Sequence, residues 1–93
     1  MEILTGEKVF NLIELDTDLG NSVSEAYVET YNTKEKAQQA LKNQLNVVKA
    51  GLIDEGQKLI VDDFGYYGDS LFSGTLRTVS NCYDWRIQEN SIL

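Results

Sequence analysis

The chain has 93 residues, of which 42% are apolar and 25% are charged, a balance that indicates one folded domain over residues 1–93 and argues against disorder. Fifteen acidic residues oppose eight basic ones, so the formal net charge is −7, and histidine is absent. This composition disfavours direct nucleic-acid binding, and it removes the side chain that most often serves enzymes as a general base.

Two runs of strand-forming residues begin the chain. Glu7 to Asp16 carries apolar side chains on both faces, which predicts a central strand. The polar stretch from Asp16 to Ser24 predicts a turn, and Glu25 to Tyr31 alternates like a strand of an antiparallel hairpin with one covered and one wet face. The expected covered face carries Ala26, Val28 and Thr30, and the expected wet face carries Glu25, Tyr27, Glu29 and Tyr31.

The longest periodic stretch runs from Asn32 to about Ile53 and predicts an amphipathic helix. Its start has two candidate caps, because Asn32 and Glu35 have the spacing of a capping box and Thr33 is an alternative cap. The apolar stripe of this helix consists of Ala37, Leu41, Leu45, Val48 and Leu52.

The end of this helix lies between Gly51 and Gly56. Gly51 has the character of a left-handed cap, whereas Leu52 continues the apolar stripe and would postpone the end to Gly56. Asp54 and Glu55 would lie unfavourably against the negative end of the helix dipole, which favours the earlier stop, between residues 51 and 53.

The remaining chain predicts three strands. Lys58 to Asp62 is the first, and Asp62 to Asp69 is predicted to be a loop because it is rich in glycine and carboxylates. Leu71 to Ser80 is the second, with Gly74 at a bulge or a close approach. The third is Cys82 to Gln88. Its two faces carry Tyr83, Trp85 and Ile87 on one side and Asp84, Arg86 and Gln88 on the other.

The predicted fold class is α+β, with one helix packed on a mostly antiparallel sheet in the order β-β-α-β-β-β. Charge is uneven along this order. Residues 1–33 carry a net −6, residues 34–50 carry +3, residues 51–70 carry −4 and residues 71–93 are neutral, which accounts for the total of −7. Because the helix is basic, we expect most of the negative charge on the sheet face opposite the helix and on its rim.

Localisation is inferred from the N-terminus and the cysteine count. Residues 1–7 lack the basic start and long apolar run of a signal peptide, and no strictly apolar stretch exceeds three residues, so we expect a cytoplasmic protein without a membrane span. The single cysteine, Cys82, fits a reducing compartment and predicts a structural thiol rather than a nucleophile.

Two motifs suggest metal chemistry, and each has a plainer explanation. Asp62, Asp63 and Asp69 could surround a hard cation, but carboxylates that share a loop are commonly only solvated. The stretch from Asp16 to Asn21 begins like a calcium loop, yet its glycine falls one position early and Tyr27 replaces the closing carboxylate. We therefore expect no enzymatic activity, no metal and no cofactor.

The remaining signal is a combination of acids and tyrosines. Tyrosine provides a large contact area at low entropic cost, and surrounding carboxylates select a partner rich in lysine or arginine. The candidate partner-binding residues are Glu25, Glu29, Asp62, Asp63, Tyr66, Tyr67 and Asp69.

The chain resembles the small acidic proteins encoded by phages and mobile elements of Gram-positive bacteria, some of which are anti-CRISPR inhibitors. The resemblance is one of layout: a hairpin, the helix start Thr33-Lys34-Glu35-Lys36-Ala37, a tyrosine-bearing loop and the closing strand Tyr83-Asp84-Trp85-Arg86-Ile87. It implies a stoichiometric inhibitor that imitates DNA and occupies the basic groove of a nucleic-acid enzyme. A Cas9-type effector reads its short DNA signal through arginines in such a groove, so an acidic protein there would block target search.

Three function hypotheses follow. The first is an acidic inhibitor of a basic, nucleic-acid-handling partner such as a CRISPR effector nuclease, as a monomer or weak homodimer and without direct nucleic-acid or membrane binding. The second is a structural or regulatory domain that self-associates through an edge strand, either Glu25 to Tyr31 or Cys82 to Gln88. The third, with the least support, is an enzyme that uses a metal at the loop from Asp62 to Asp69.

Overall fold

The computed structural model describes residues 8–91, which fold in the predicted order β-β-α-β-β-β. The elements are β1 (Lys8–Asp18), β2 (Val23–Tyr31), α1 (Lys34–Asp54), β3 (Val61–Tyr67), β4 (Ser70–Arg77) and β5 (Asn81–Ser91). All paired strands are antiparallel and lie in the spatial order β2-β1-β5-β4-β3, so the fold is α+β, as the sequence predicted. Within the described range, no helix is long and apolar enough to cross a membrane.

Strand β5 is the centre of the sheet, because it pairs with β1 on one side and with β4 on the other. Strand β1 lies between β2 and β5, which confirms its predicted interior position, and β2 and β3 are the two edges. The hypothesis of an edge strand from Cys82 to Gln88 is therefore wrong, since neighbours on both sides already occupy its backbone hydrogen-bonding groups. Only the Glu25 to Tyr31 part of that hypothesis remains a prediction.

Helix α1 packs on one face of the sheet, which we call the helix-side face; the opposite face is the open face. The predicted apolar stripe is buried in this layer except at Val48, which is half-buried. The stripe meets the aromatic face of β5, where Trp85 is 1% exposed, and this confirms the predicted facing of that strand. The buried cluster comprises Leu12, Leu41, Leu45, Leu52, Leu71, Leu76 and Trp85.

Gly74 lies at a close approach between the helix and the sheet. A Cβ atom built on Gly74 would lie 2.7 Å from Leu45 Cδ1 and 3.3 Å from Leu41 Cδ2, so only glycine fits without displacing the helix side chains. This confirms the close approach, whereas the bulge is elsewhere, between Gly65 and Tyr66 in the pairing of β3 with β4.

The start of the helix follows the alternative cap. Thr33 is the N-cap, and its hydroxyl oxygen accepts a hydrogen bond from the Lys36 amide at 3.2 Å. Asn32 instead accepts from the Lys36 side-chain ammonium at 3.3 Å. The predicted capping box at Asn32 and Glu35 is therefore wrong, because Thr33 already satisfies the free amide at the third helical position.

The helix ends at Asp54, later than the favoured stop. Gly56 has a φ of +77° and its amide donates to the Ile53 carbonyl at 2.9 Å, so Gly56 rather than Gly51 is the left-handed residue after the helix. Packing explains the difference, because Leu52 is 4% exposed. Burying a leucine is worth about 1.5–3 kcal/mol, more than the roughly 0.3–1 kcal/mol that an exposed acid loses against the helix dipole.

The predicted loop from Asp62 to Asp69 is mostly strand. Residues 58–60, predicted as strand, are irregular, and β3 runs from Val61 to Tyr67 before a turn at Gly68 and Asp69. The position of β3 in the sheet explains the error. An edge strand pairs on one side only, so glycine and carboxylates are tolerated there because water reaches the unpaired side.

Candidate acidic contact surface

The seven predicted partner-binding residues do not form one surface. Glu25 and Glu29 belong to β2, whereas the other five belong to β3 or to the turn that follows it, at the opposite edge of the sheet. Four inter-strand gaps of about 4.8 Å separate these edges by roughly 19 Å. Each edge must therefore be judged as a contact surface by itself.

The β3 edge is the weaker of the two candidates. Asp62 lies on the helix-side face, where Lys49 Nζ is 2.8 Å from its Oδ2 atom, whereas the pairing of Asp63 with Thr75 places it on the open face. Tyr66 and Tyr67 are 55% and 84% exposed and are available for contacts. The acids of this edge are thus divided between two faces, and one of them is already paired.

The acids of the first hairpin lie together on the helix-side face. Because Leu12 of β1 enters the core, the alternation of β1 places Glu14, Asp16 and Asp18 on the same side of the sheet. The register then pairs Glu14 with Tyr27 and Asp16 with Glu25. We call this group the hairpin surface. It consists of Glu14, Asp16, Asp18, Glu25, Tyr27, Glu29 and Tyr31.

This arrangement corrects two expectations. Ala26, Val28 and Thr30 were expected to be covered, but they lie on the open face, and all of β2 except Tyr31 is exposed. The helix contacts this strand on the other face, where Gln44 donates to Glu29. The negative charge was expected on the face opposite the helix and on its rim; much of it lies at the β2 edge, but on the helix-side face. The charged strand residues of the open face sum to zero: Asp63, Asp84, Arg77 and Arg86.

Hydrogen bonds connect the hairpin surface to the core and the helix. The indole nitrogen of Trp85 donates to Glu14 Oε1 at 2.9 Å and to Gln44 Oε1 at 3.2 Å. Gln44 in turn donates to Glu29 Oε1 at 3.0 Å, and the Tyr31 hydroxyl donates to Glu29 Oε2 at 2.8 Å. Two of the carboxylates are therefore held in place by buried or half-buried partners.

Asp16 has the most perturbed environment of these acids. Burial is the largest cause that raises its pKa, to about 7; a hydrogen bond with the Glu14 carboxyl group is the next, and the negative charges of Glu14 and Glu25 raise it further. Its Oδ1 atom is buried and has no hydrogen-bond partner among residues 8–91. A buried acceptor without a donor is uncommon in folded proteins, because it has lost its water without gaining a partner.

The hairpin turn explains the residues that resemble a calcium loop. Asp18 Oδ1 accepts hydrogen bonds from the amides of Gly20 and Asn21 at 3.0 and 3.3 Å, and Oδ2 accepts from Asn21 Nδ2 at 2.9 Å. These hydrogen bonds lower the pKa of Asp18, and the one from the Asn21 side chain has the largest effect. Across the described residues, no three potential ligands from His, Cys, Asp and Glu are grouped as a metal site.

Cys82 lies on the open face of β5 and is half-buried. Burial raises the pKa of its thiol, and the neighbouring Asp84 carboxylate adds to the increase. The thiolate is therefore disfavoured, which agrees with a structural thiol.

Sequence reasoning missed Glu14, Asp16 and Asp18 as surface residues. The signal was present, because acids at every second position of a strand share one face. It was obscured by Leu12, Ile13 and Leu15, which gave β1 the pattern of a strand buried on both faces. Comparisons of the chain with family models, with curated proteins and with solved structures returned no match.

Proposed function

We propose that this chain is a binding protein that receives the basic surface of a nucleic-acid-handling protein on its hairpin surface and thereby inhibits that partner. The observation that carries the proposal is uncompensated negative charge. Five carboxylates gather on one uncovered part of the helix-side face, and none of them forms an ion pair with a lysine or arginine of residues 8–91.

Elsewhere in the described chain, two carboxylates are neutralised by ion pairs with lysines. Lys8 is 2.9 Å from Glu89, and Lys49 is 2.8 Å from Asp62. The hairpin surface has no such cation, and like charges face each other there at Asp16 and Glu25. A lysine or arginine from a partner would relieve this repulsion and supply a donor to the orphaned Asp16 oxygen.

Tyr27 adds an aromatic ring to this acidic surface. Its ring is half-exposed beside Glu25, to which its hydroxyl donates a hydrogen bond. A phenol ring among carboxylates accommodates the apolar stem of an arginine while its guanidinium pairs with the acids. This combination favours a protein partner with arginines over a small inorganic cation.

The spacing of the acids supports imitation of nucleic acid. The five carboxyl groups span about six strand residues between the levels of Glu29 and Asp18, which is roughly 20 Å. Because Asp16 is about half protonated at pH 7, this amounts to about one charge per 4.5 Å. A single DNA strand carries one charge per about 3.4 Å. The hairpin surface thus approaches the charge density of one nucleic-acid strand and would compete with it for an arginine-lined groove, such as that of a CRISPR effector nuclease in the cytoplasm.

The test compares two triple variants of equal charge. The hairpin variant carries Asp16→Asn, Glu25→Gln and Glu29→Gln, and the β3-edge variant carries Asp62→Asn, Asp63→Asn and Asp69→Asn. Calorimetric titration with a decameric arginine-rich peptide, at several salt concentrations, measures affinity and its salt dependence. We expect the hairpin variant to lose about tenfold or more in affinity and to show a shallower salt dependence, whereas the β3-edge variant retains most of the binding.

Inhibition is tested with the same three proteins. We expect the wild type and the β3-edge variant to slow DNA cleavage by a purified Cas9-type nuclease, and the hairpin variant to have little effect. Equal peptide affinity for both triple variants would contradict the assignment of the surface. If the peptide binds but no nucleic-acid enzyme tested is inhibited, the binding function is supported and the proposed inhibition is contradicted.

A further inference from the structure

The open face of the sheet has no other element of residues 8–91 packed on it. Its apolar side chains lie on the strands that flank β5: Leu15 on β1 and Phe72 on β4 are 39% and 38% exposed, and Val28 on β2 is 60% exposed. Ile13 is half-buried beside them, and the bulge in β4 turns Phe72 toward this face while Leu71 enters the core. The central strand β5 presents Asp84 and Arg86 on this face. No helix or strand of residues 8–91 lies over this face, since α1 packs on the other side.

The register of the sheet gives this face an internal symmetry. One row of cross-strand partners, formed by Tyr27, Glu14, Trp85 and Gly74, runs across four strands. On the open face, the residues on either side of this row are alike on β2, β1 and β4 and opposite in charge on β5. They are Val28 and Ala26 on β2, Ile13 and Leu15 on β1, Arg86 and Asp84 on β5, and Ser73 and Thr75 on β4.

A two-fold axis along this row would exchange the two sides. We propose that a second copy of this chain packs on the open face around such an axis, sheet against sheet. The apolar pairs of β1 and β2 then meet their own copies, and Arg86 of each chain faces Asp84 of the other. In such an interface apolar residues meet apolar residues and opposite charges meet, so the surface is complementary to itself, as a two-fold homodimer requires.

Charge and area both allow this dimer. The charged strand residues of the open face sum to zero, although the chain carries −7, because the acids of the hairpin surface lie on the other side of the sheet. The four strands have 8 to 11 residues. With about nine residues per strand and a spacing of about 4.8 Å they cover roughly 570 Å², so two copies would bury about 1,100 Å². This is just above the roughly 1,000 Å² of a specific interface, which predicts a weak dimer. Both hairpin surfaces remain free in it.

The test uses charge reversal at the proposed axis. We expect sedimentation equilibrium to show wild-type chains approaching twice the 10.5 kDa monomer mass as concentration rises toward about 1 mM. Arg86→Asp and Asp84→Arg alone each place like charges together and should weaken the dimer about tenfold or more. An equimolar mixture of the two variants restores both ion pairs and should form a heterodimer with near wild-type affinity.

Arg77→Asp is the matched control, because it makes the same charge change on the same face away from the proposed axis, and it should leave the dimer nearly unchanged. Asp84 accepts a hydrogen bond from Thr75 at 3.0 Å, so circular dichroism must show that Asp84→Arg still folds. Should it fail to fold, Val28→Lys replaces it and should also give monomers. A wild type that stays monomeric at about 1 mM, or a dimer that ignores both Arg86→Asp and Val28→Lys, as edge pairing through β2 would, overturns the proposal.

Discussion

The carboxyl group of Asp16 lies on β1 between two other acids, Glu14 on its own strand and Glu25 on β2. Proteins usually avoid like charges directly opposite each other in a sheet, because such a pair costs about 0.2–1 kcal/mol. The chain retains this arrangement at a position where one carboxylate oxygen is also buried without a donor. Such a local cost, in a residue that the core does not need, is typical of a binding surface.

The titration of Asp16 gives a prediction about stability. Its pKa is raised from 3.8 to about 7, so between these values the folded chain holds a proton that the unfolded chain has released. The free energy of unfolding therefore falls as pH rises through this window, and the contribution is lost above pH 7. Asp16→Asn should flatten this slope and stabilise the protein at pH 8 by about 1 kcal/mol after allowance for solvent screening, or about 4–8 °C in Tm.

Thermal denaturation followed by circular dichroism at pH 5 and pH 8 measures this effect. Asp18→Asn is the control, because the contribution of Asp18 to stability depends on pH in the opposite direction. Its carboxylate accepts three hydrogen bonds and its pKa is lowered, so its contribution is present at high pH and lost on acidification. An Asp16→Asn variant less stable than the wild type at pH 8 would show that the carboxylate has a partner that the charge pattern does not reveal.

At the scale of elements, the helix shows how packing overrides local sequence preferences. Exposed acids near the C-terminus argued for an early end, but the buried Leu52 extends the helix to Asp54. Gly51 consequently lies inside the helix, where a Cβ atom would have no neighbour within 4 Å, and Gly56 takes the left-handed conformation with φ +77°. The two glycines therefore have opposite roles.

Alanine substitutions separate these roles. Gly51→Ala should stabilise the protein by about 0.5–1 kcal/mol, because alanine reduces the entropy of the unfolded chain and fits the helix without a clash. Gly56→Ala should destabilise it by about 1 kcal/mol, because a Cβ atom strains the left-handed conformation. Urea denaturation of both variants measures the difference. The opposite order of stabilities would place the helix end at Gly51 after all.

The strands show where sequence reasoning succeeds and where it fails. The aromatic face of β5 and the apolar stripe of α1 were predictable, because burial imposes a strict period on both. The edge strand β3 was not, because its exposed side imposes no such pattern and glycines and carboxylates resemble a loop. The faces of β2 were reversed for the same reason: neither is buried, so alternation could not decide which one adjoins the helix.

At the scale of the molecule, stability should be unequal across the sheet. Strand β5 is the central strand and contributes Trp85 to the core, whereas β2 is an edge with no buried residue. Regions with few buried contacts open at low free energy. We expect amide hydrogen exchange to be slowest in β5 and adjacent β1 positions and fastest in β2, as measured by NMR on the dilute monomer.

Two results would change this view of the whole molecule. Protection of β2 equal to that of β5 would show that its edge is covered in solution, which would favour self-association through Glu25 to Tyr31. Protection of β2 that increases only when an arginine-rich peptide is added would instead support the hairpin surface as the contact site.

The candidate site itself could be predicted from the sequence only in kind, as acids with tyrosines. Its location needed the register, which places Glu14, Asp16 and Glu25 side by side.

The hydrogen bond from the indole of Trp85 to Glu14 has a practical consequence. Trp85 is the single tryptophan of the chain, and its nitrogen touches a carboxylate of the hairpin surface while its ring is 1% exposed. A cation that draws Glu14 away from the indole changes the electric field along the ring, and the emission wavelength of the tryptophan shifts with that field. We therefore expect the tryptophan emission to shift if a cationic partner occupies the hairpin surface, which would report binding without a dye and without changing the acids.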